Sequence, residues 1–124
     1  MSDTLYPKPS KALAQERSAL APEIDTAFRQ FSQAVFKEGA LSRKSKQLIA
    51  VAVAHVTQCP YCIQGHTKAA VRDGATPQEI MEAIWVAAEM RAGGAFAHSA
   101  LALDTLHTVA AQRERLAEPA SGGS

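Results

Sequence analysis

A chain of 124 residues with a formal charge of +1 suits one domain and carries no basic excess or stripe that would attract nucleic acid. Apolar residues make up 47% and aromatics only 6%, so the core has to be assembled from Ala, Val, Leu and Ile, whose small buried area leaves oligomerisation as a further source of stability. No apolar run approaches the roughly 20 residues of a membrane span, and the polar start with Pro7 and Pro9 is unlike a signal peptide, so the expectation is a soluble cytoplasmic protein.

Residues 1–21 read as an N-terminal arm, irregular to Ser10 and followed by a possible short helix from Lys11 to Leu20. Residues 22–117 read as the folded domain. Pro22 opens a helix in which Ile24, Ala27, Phe28, Phe31, Ala34 and Val35 recur at spacings of three and four, the pattern of a buried stripe, with Gly39 as its stop. Ser42 is a suitable N-cap for the next helix. Its alanine-rich run from Leu48 to Ala54 favours helix over a buried strand, and it should end near Thr57. A helix from Pro60 to about Asp73 follows, with Gly74 as its stop.

Thr76-Pro77-Gln78-Glu79 is a capping box with proline at the first helical position, and Ile80, Ile84, Ala87, Ala88 and Arg91 then share a face. Gly93-Gly94 is placed to separate or kink two helices, the second running from Ala95 to about Leu116 with Leu101, Leu103 and Leu106 in its apolar part. Residues 118–124 are rich in Pro, Ser and Gly and are expected to be disordered. With no strand ladder and no internal repeat, the fold class is all-α.

Both cysteines lie in the stretch from His55 to His66. Pro60 places a helix start between them, so Cys59 falls at or next to the N-cap. There the unpaired backbone N–H groups and the helix dipole stabilise a thiolate. Residues i and i+4 share a helix face, which brings His66 within reach of Cys62. Dithiol redox chemistry, metal binding and two merely buried cysteines are the competing readings. As one helix, His55, Cys59, Cys62 and His66 would spread over about 16 Å, too far for one tetrahedral ion, though a break at Pro60 leaves zinc open. Haem attachment needs a histidine directly after the second cysteine, where Ile63 stands. A thioredoxin-like site would follow a strand, and none precedes this motif. The expectation is therefore a dithiol enzyme with no bound cofactor or metal. A non-enzymatic zinc-binding or redox-sensing module is the alternative.

The run from Gln47 to Ala54, then Cys59-Pro60-Tyr61-Cys62, His66 to Ala70, Gly74-Ala75-Thr76 and Glu79 to Ala83 together resemble the alkylhydroperoxidase D core of the carboxymuconolactone decarboxylase superfamily, over roughly residues 24–108. The resemblance implies a fold of about six helices, with the Cys-x-x-Cys motif on an antiparallel helical hairpin, assembled as a homotrimer or homohexamer. It also implies hydroperoxide reduction in which Cys62 attacks, Cys59 resolves the sulfenic acid as a disulfide, His66 belongs to a proton relay, and an external dithiol, a lipoyl or thioredoxin-like carrier, restores the thiols. The decarboxylase branch lacks the cysteine pair, which argues against lactone decarboxylation.

One position departs from the pattern. The glutamate that usually begins the relay is replaced by Gln47, which can orient His66 but cannot serve as a base. His55, one turn before Cys59, is the candidate substitute, with a histidine hydrogen-bonded at a helix end as its plainer reading. Glu82 and Glu89 read as solvated helix faces, and His98 and His107 as structural or interfacial. For the two thiols, the helix dipole favours Cys59 and the imidazole favours Cys62. A base can both take the proton and return one to the departing oxygen, which favours Cys62 as the attacking residue.

Overall fold

Helices α1 (Lys11–Leu20), α2 (Pro22–Phe36), α3 (Arg43–Thr57), α4 (Pro60–Arg72) and α5 (Pro77–Ala117) make up the computed structural model, which describes residues 5–119 and has no strand among them. The all-α expectation is met, and the cysteine motif sits on the α3–α4 hairpin. No helix among the described residues is long and apolar enough to cross a membrane.

The helix starts are chemically specified. Ser10 Oγ accepts the Leu13 N–H, and Ser42 Oγ accepts the Ser45 N–H at 3.0 Å. Thr76 Oγ1 accepts the Glu79 N–H at 3.1 Å, while Glu79 Oε1 accepts the Thr76 N–H at 2.9 Å, the reciprocal box read from the sequence. Between α3 and α4 the chain reverses through Gln58, a non-glycine residue in the left-handed region (φ 58°, ψ 46°), and the Cys59 N–H turns back onto Ala54 O at 3.2 Å.

Helix α3 is the centre of the chain, packed against both α4 and α5. The core is small: Val51, Ala70, Ala75 and Ile80 are buried together, with Leu48 and Ile84 packed on them. Two polar links fix α5 along α3. Lys44 Nζ pairs with Glu79 Oε2 at 2.8 Å near the start of both helices, and Arg91 Nη1 donates to Val56 O at 3.2 Å near the end of α3.

Three details differ from expectation. Among the described residues there are five helices rather than about six, because α5 runs unbroken through Gly93 and Gly94 for 41 residues, about 60 Å. Glycine costs only about 1 kcal/mol relative to alanine in a helix, and strong helix formers flank this pair. Helix α2 stops at Phe36, before Gly39, because Lys37 is already extended (φ −66°, ψ 147°). The apolar stripe of α2 is not buried. Ile24, Phe28 and Phe31 are 73%, 66% and 64% exposed, since α2 packs mainly on α1 and α3, with Phe36 at its end reaching α4, and among the described residues nothing covers its outer face. Leu101, Leu103 and Leu106 on the second half of α5 are likewise exposed. Residues 1–4 of the expected arm and 120–124 of the expected tail lie outside the described residues.

Candidate active site

Cys59 is the N-cap of α4, extended at φ −98° and ψ 106°, and its sulfur accepts the Cys62 N–H at 3.3 Å. Proline at the next position needs no donor partner, so the turn closes around the sulfur. The thiol of Cys62 donates to the same sulfur. That bond, with the backbone N–H groups of Cys62 and Tyr61, holds the Cys59 thiol below its usual range. Cys62 is pushed the other way, first because its proton is held by Cys59 and then by burial and by the charge on Cys59. Both residues are free thiols, and both are half-buried.

The side chain of Tyr61, between the two cysteines, turns to the N-terminal arm. Its hydroxyl donates to Pro7 O at 2.6 Å, and its ring meets Tyr6 edge-on at 6.0 Å. This clamp fixes residues 6 and 7 against the first turn of α4.

His66 lies one turn beyond Cys62. Its Nδ1 is 2.8 Å from Gln47 Oε1, across the hairpin. An amide oxygen only accepts, so Nδ1 carries a proton, and in the neutral ring Nε2 is the nitrogen with the lone pair. Gln47 is the buried polar residue of the core, 6% exposed, so it is held by packing and holds the imidazole in turn. Phe36 of α2 stacks on the His66 ring at 5.1 Å and 28°.

Cys62 and His66 open together onto a cavity of about 460 Å³ between α2, α3 and α4. Its walls are mainly aliphatic and aromatic, with Val35 and Phe36 from α2, Leu41 from the connecting loop, and Ile49 and Val53 from α3. Lys46 lies on the same wall, and Cys59 does not line this cavity. The apolar volume, a thiol and an imidazole with a free nitrogen make a chamber suited to a small apolar substrate.

Of the residues singled out from sequence, Cys59, Cys62, His66 and Gln47 come together here. His55 does not line the cavity, and its Nδ1 is 2.7 Å from the Val51 carbonyl of its own helix, the plainer of its two readings. No group of three or more His, Cys, Asp or Glu side chains is placed to hold a metal ion among the described residues. Glu82, Glu89, His98 and His107 are exposed on α5. Phe36 and Lys46 were not singled out from the sequence. Phe36 is the last residue of α2, and only the packing of α2 across the hairpin brings it to His66.

Residues 22–105 match the family described as the carboxymuconolactone decarboxylase family. The chain is 59% identical over 109 residues to the Paracoccus denitrificans protein named uncharacterized protein 4 in cox locus, covering 88% of this chain and 97% of that one. Among solved structures, it is similar to an apo-form carboxymuconolactone decarboxylase family protein from Legionella pneumophila (38% identity, TM-score 0.60, 78% of this chain and 86% of that one). A protein from Methanobacterium thermoautotrophicum is similar at 36% identity and TM-score 0.64, over 67% of this chain and 93% of that one.

Proposed function

The chain belongs to the carboxymuconolactone decarboxylase family, with an alkylhydroperoxidase D-like helical fold, and we propose that it is a thiol-dependent peroxidase reducing organic hydroperoxides through Cys62 and Cys59. The observation that carries this reading is the placement of Cys62 and His66 on one apolar cavity, with the more acidic Cys59 thiol hydrogen-bonded to Cys62 from outside that cavity.

The chemistry balances in three steps. The Cys62 sulfur attacks the terminal peroxide oxygen and the O–O bond breaks, so Cys62–SH and ROOH become Cys62–SOH and ROH. The thiol proton passes to His66 Nε2 or to the Cys59 sulfur, and a proton returns to the departing alkoxide. Cys59, held as the readier thiolate, then attacks the sulfenic sulfur, forming the Cys59–Cys62 disulfide and releasing water. An external dithiol carrier exchanges with that disulfide and leaves oxidised, which would equally allow the protein to act as a disulfide reductase. Gln47 is a positioning residue in this scheme, since it fixes the imidazole tautomer and takes no proton itself.

A second copy of the chain completes the picture. The isolated chain exposes 10174 Å², whereas a compact monomer of its 13.2 kDa would expose about 6,400 Å². The excess is several times the roughly 800 Å² that one partner buries in a standard interface, and the exposed apolar faces of α2 and α5 are surfaces that such a copy would cover. Family relatives with the name decarboxylase share the fold, but the dithiol, with Cys62 on the cavity, supports redox chemistry here.

The test is peroxide consumption with several dithiol donors, dihydrolipoamide included, by the wild type and Cys62→Ser. Turnover by the wild type alone is expected. If neither protein consumes peroxide with any donor, and neither reduces a model disulfide, the enzyme reading fails.

A further inference from the structure

Lys46 is the charged residue on a mainly apolar wall, and among the described residues its charge has no carboxylate partner. Its Nζ donates to the Lys37 backbone carbonyl at 2.5 Å, which occupies one of three donors. Glu38, next to Lys37, accepts the Arg43 N–H at 2.9 Å and forms no ion pair with Lys46. Lys46 is half-buried as a residue while the bond made by its ammonium is exposed, so its stem lies on apolar surface and its charge at the cavity rim gains from an anion that brings its own apolar body.

From this placement we infer that Lys46 is a carboxylate receptor, and that the site selects amphipathic hydroperoxides, an apolar chain ending in a carboxylate, over neutral ones of the same size. The inference rests on the peroxidase reading and names its substrate class. Along α3 the cavity wall runs from Lys46 to Thr57, about 16 Å, with Lys46 at one end. Gln47, the neighbour of Lys46, holds His66, and Cys62 lies one turn of α4 from His66, about 6 Å. A carboxylate bound at Lys46 therefore lays its hydrocarbon chain along Ile49 and Val53 and past Cys62. The reacting O–O bond then sits several carbons from the acid group. Hydrogen peroxide would use neither the ammonium nor the wall.

The experiment compares kcat/KM for linoleic acid hydroperoxide and its methyl ester, both below their micellar range. Dihydrolipoamide is the donor throughout, because it is neutral and leaves the donor's charge out of the comparison. The wild type should favour the acid by about tenfold, expressed mainly in KM and weakened by salt. In Lys46→Met the acid-to-ester ratio should fall to near one, and in Lys46→Arg it should be kept. An unchanged ratio in Lys46→Met, or a wild type that shows no preference, overturns the inference. If the wild type reduces no hydroperoxide at all, the peroxidase reading is what has failed. Calorimetric binding of linoleate and methyl linoleate to the same proteins then decides the carboxylate site alone: tighter linoleate binding that is lost in Lys46→Met supports it, and equal binding removes it.

Discussion

The backbone N–H of Cys62 donates to the sulfur of Cys59 at 3.3 Å, and the Cys62 thiol donates to the same sulfur, so the two thiols of one motif are driven apart in acidity. Cys59, at the helix start, gives up its proton more readily, and Cys62, at the cavity, holds its proton more strongly. Alkylation reads this directly, because only the thiolate reacts. As pH is raised, iodoacetamide should modify Cys59 before Cys62. Cys62→Ala removes the thiol donor, so the Cys59 titration should move to higher pH. Cys59→Ala removes the group that holds the Cys62 proton, so Cys62 should move to lower pH. Peptide mass spectrometry across a pH series checks both directions, and coincident titration in the wild type would contradict the hydrogen-bonded pair.

Acidity and access point to different sulfurs, and in the proposed peroxidase access assigns the peroxide to Cys62. Cys62 lines the cavity and Cys59 does not. Cys59→Ser should accordingly form a sulfenic acid at Cys62 with one equivalent of peroxide, trappable by a dimedone-type reagent, without multiple turnover. Cys62→Ser should form none at Cys59. Labelling of Cys59 in Cys62→Ser at the wild-type rate would reverse the two roles and show that thiolate character outweighs the cavity and the imidazole.

The Gln47–His66 bond makes a second pair of predictions. His66→Ala should lower kcat/KM by about a hundredfold, the smaller end of what a positioned acid–base group contributes. Gln47→Leu removes the acceptor that orients the ring and should also lower kcat/KM, by less than His66→Ala does. A Gln47→Leu rate equal to the wild type would mean that Gln47 merely fills space.

Much of this arrangement is legible in the chain itself. Ser42, Pro60, Thr76 and Glu79 state where helices begin, because each satisfies a specific end donor or needs none, and the structure starts helices there. Four of the five proposed site residues converge for the same local reason: residues 47, 62 and 66 face each other once Gln58 turns the hairpin, and Cys59 caps it. What was not legible depends on partners far away in sequence or outside the chain. Periodicity shows that Ile24, Phe28 and Phe31 share a face but not what covers it. It cannot place Phe36 on His66, because that contact is set by the crossing of α2 over the hairpin. A pair of glycines signals a break only if the surrounding helix is weak, and that of α5 is not.

The exposed face of α2 gives a prediction about assembly. Light scattering at micromolar concentration should show a homo-oligomer. Aspartate at both Phe28 and Phe31 places two charges in the apolar face and should shift the population towards smaller species, with helical circular dichroism retained. A monomeric wild type would count decisively against assembly through this face.

Gly93 and Gly94 provide the last test, because they distinguish a continuous α5 from two helices. A β-carbon at Gly94 would meet no atom within 4 Å, and one at Gly93 would meet only the flexible end of Glu89 at 3.4 Å. Neither has a positive φ. In an unbroken helix, then, alanine at position 94 restores helix propensity without a clash, and Gly94→Ala should stabilise the protein by about 0.5–1 kcal/mol. A break at the pair would reverse the sign, since a residue that must leave the helical region loses by becoming alanine. Close packing of a second copy against this point would also reverse it, but would lower the oligomer mass as well. Thermal unfolding followed alongside light scattering separates these cases. A higher Tm at unchanged mass is the expected result, and a lower Tm at unchanged mass would place a helix break where the structure has none.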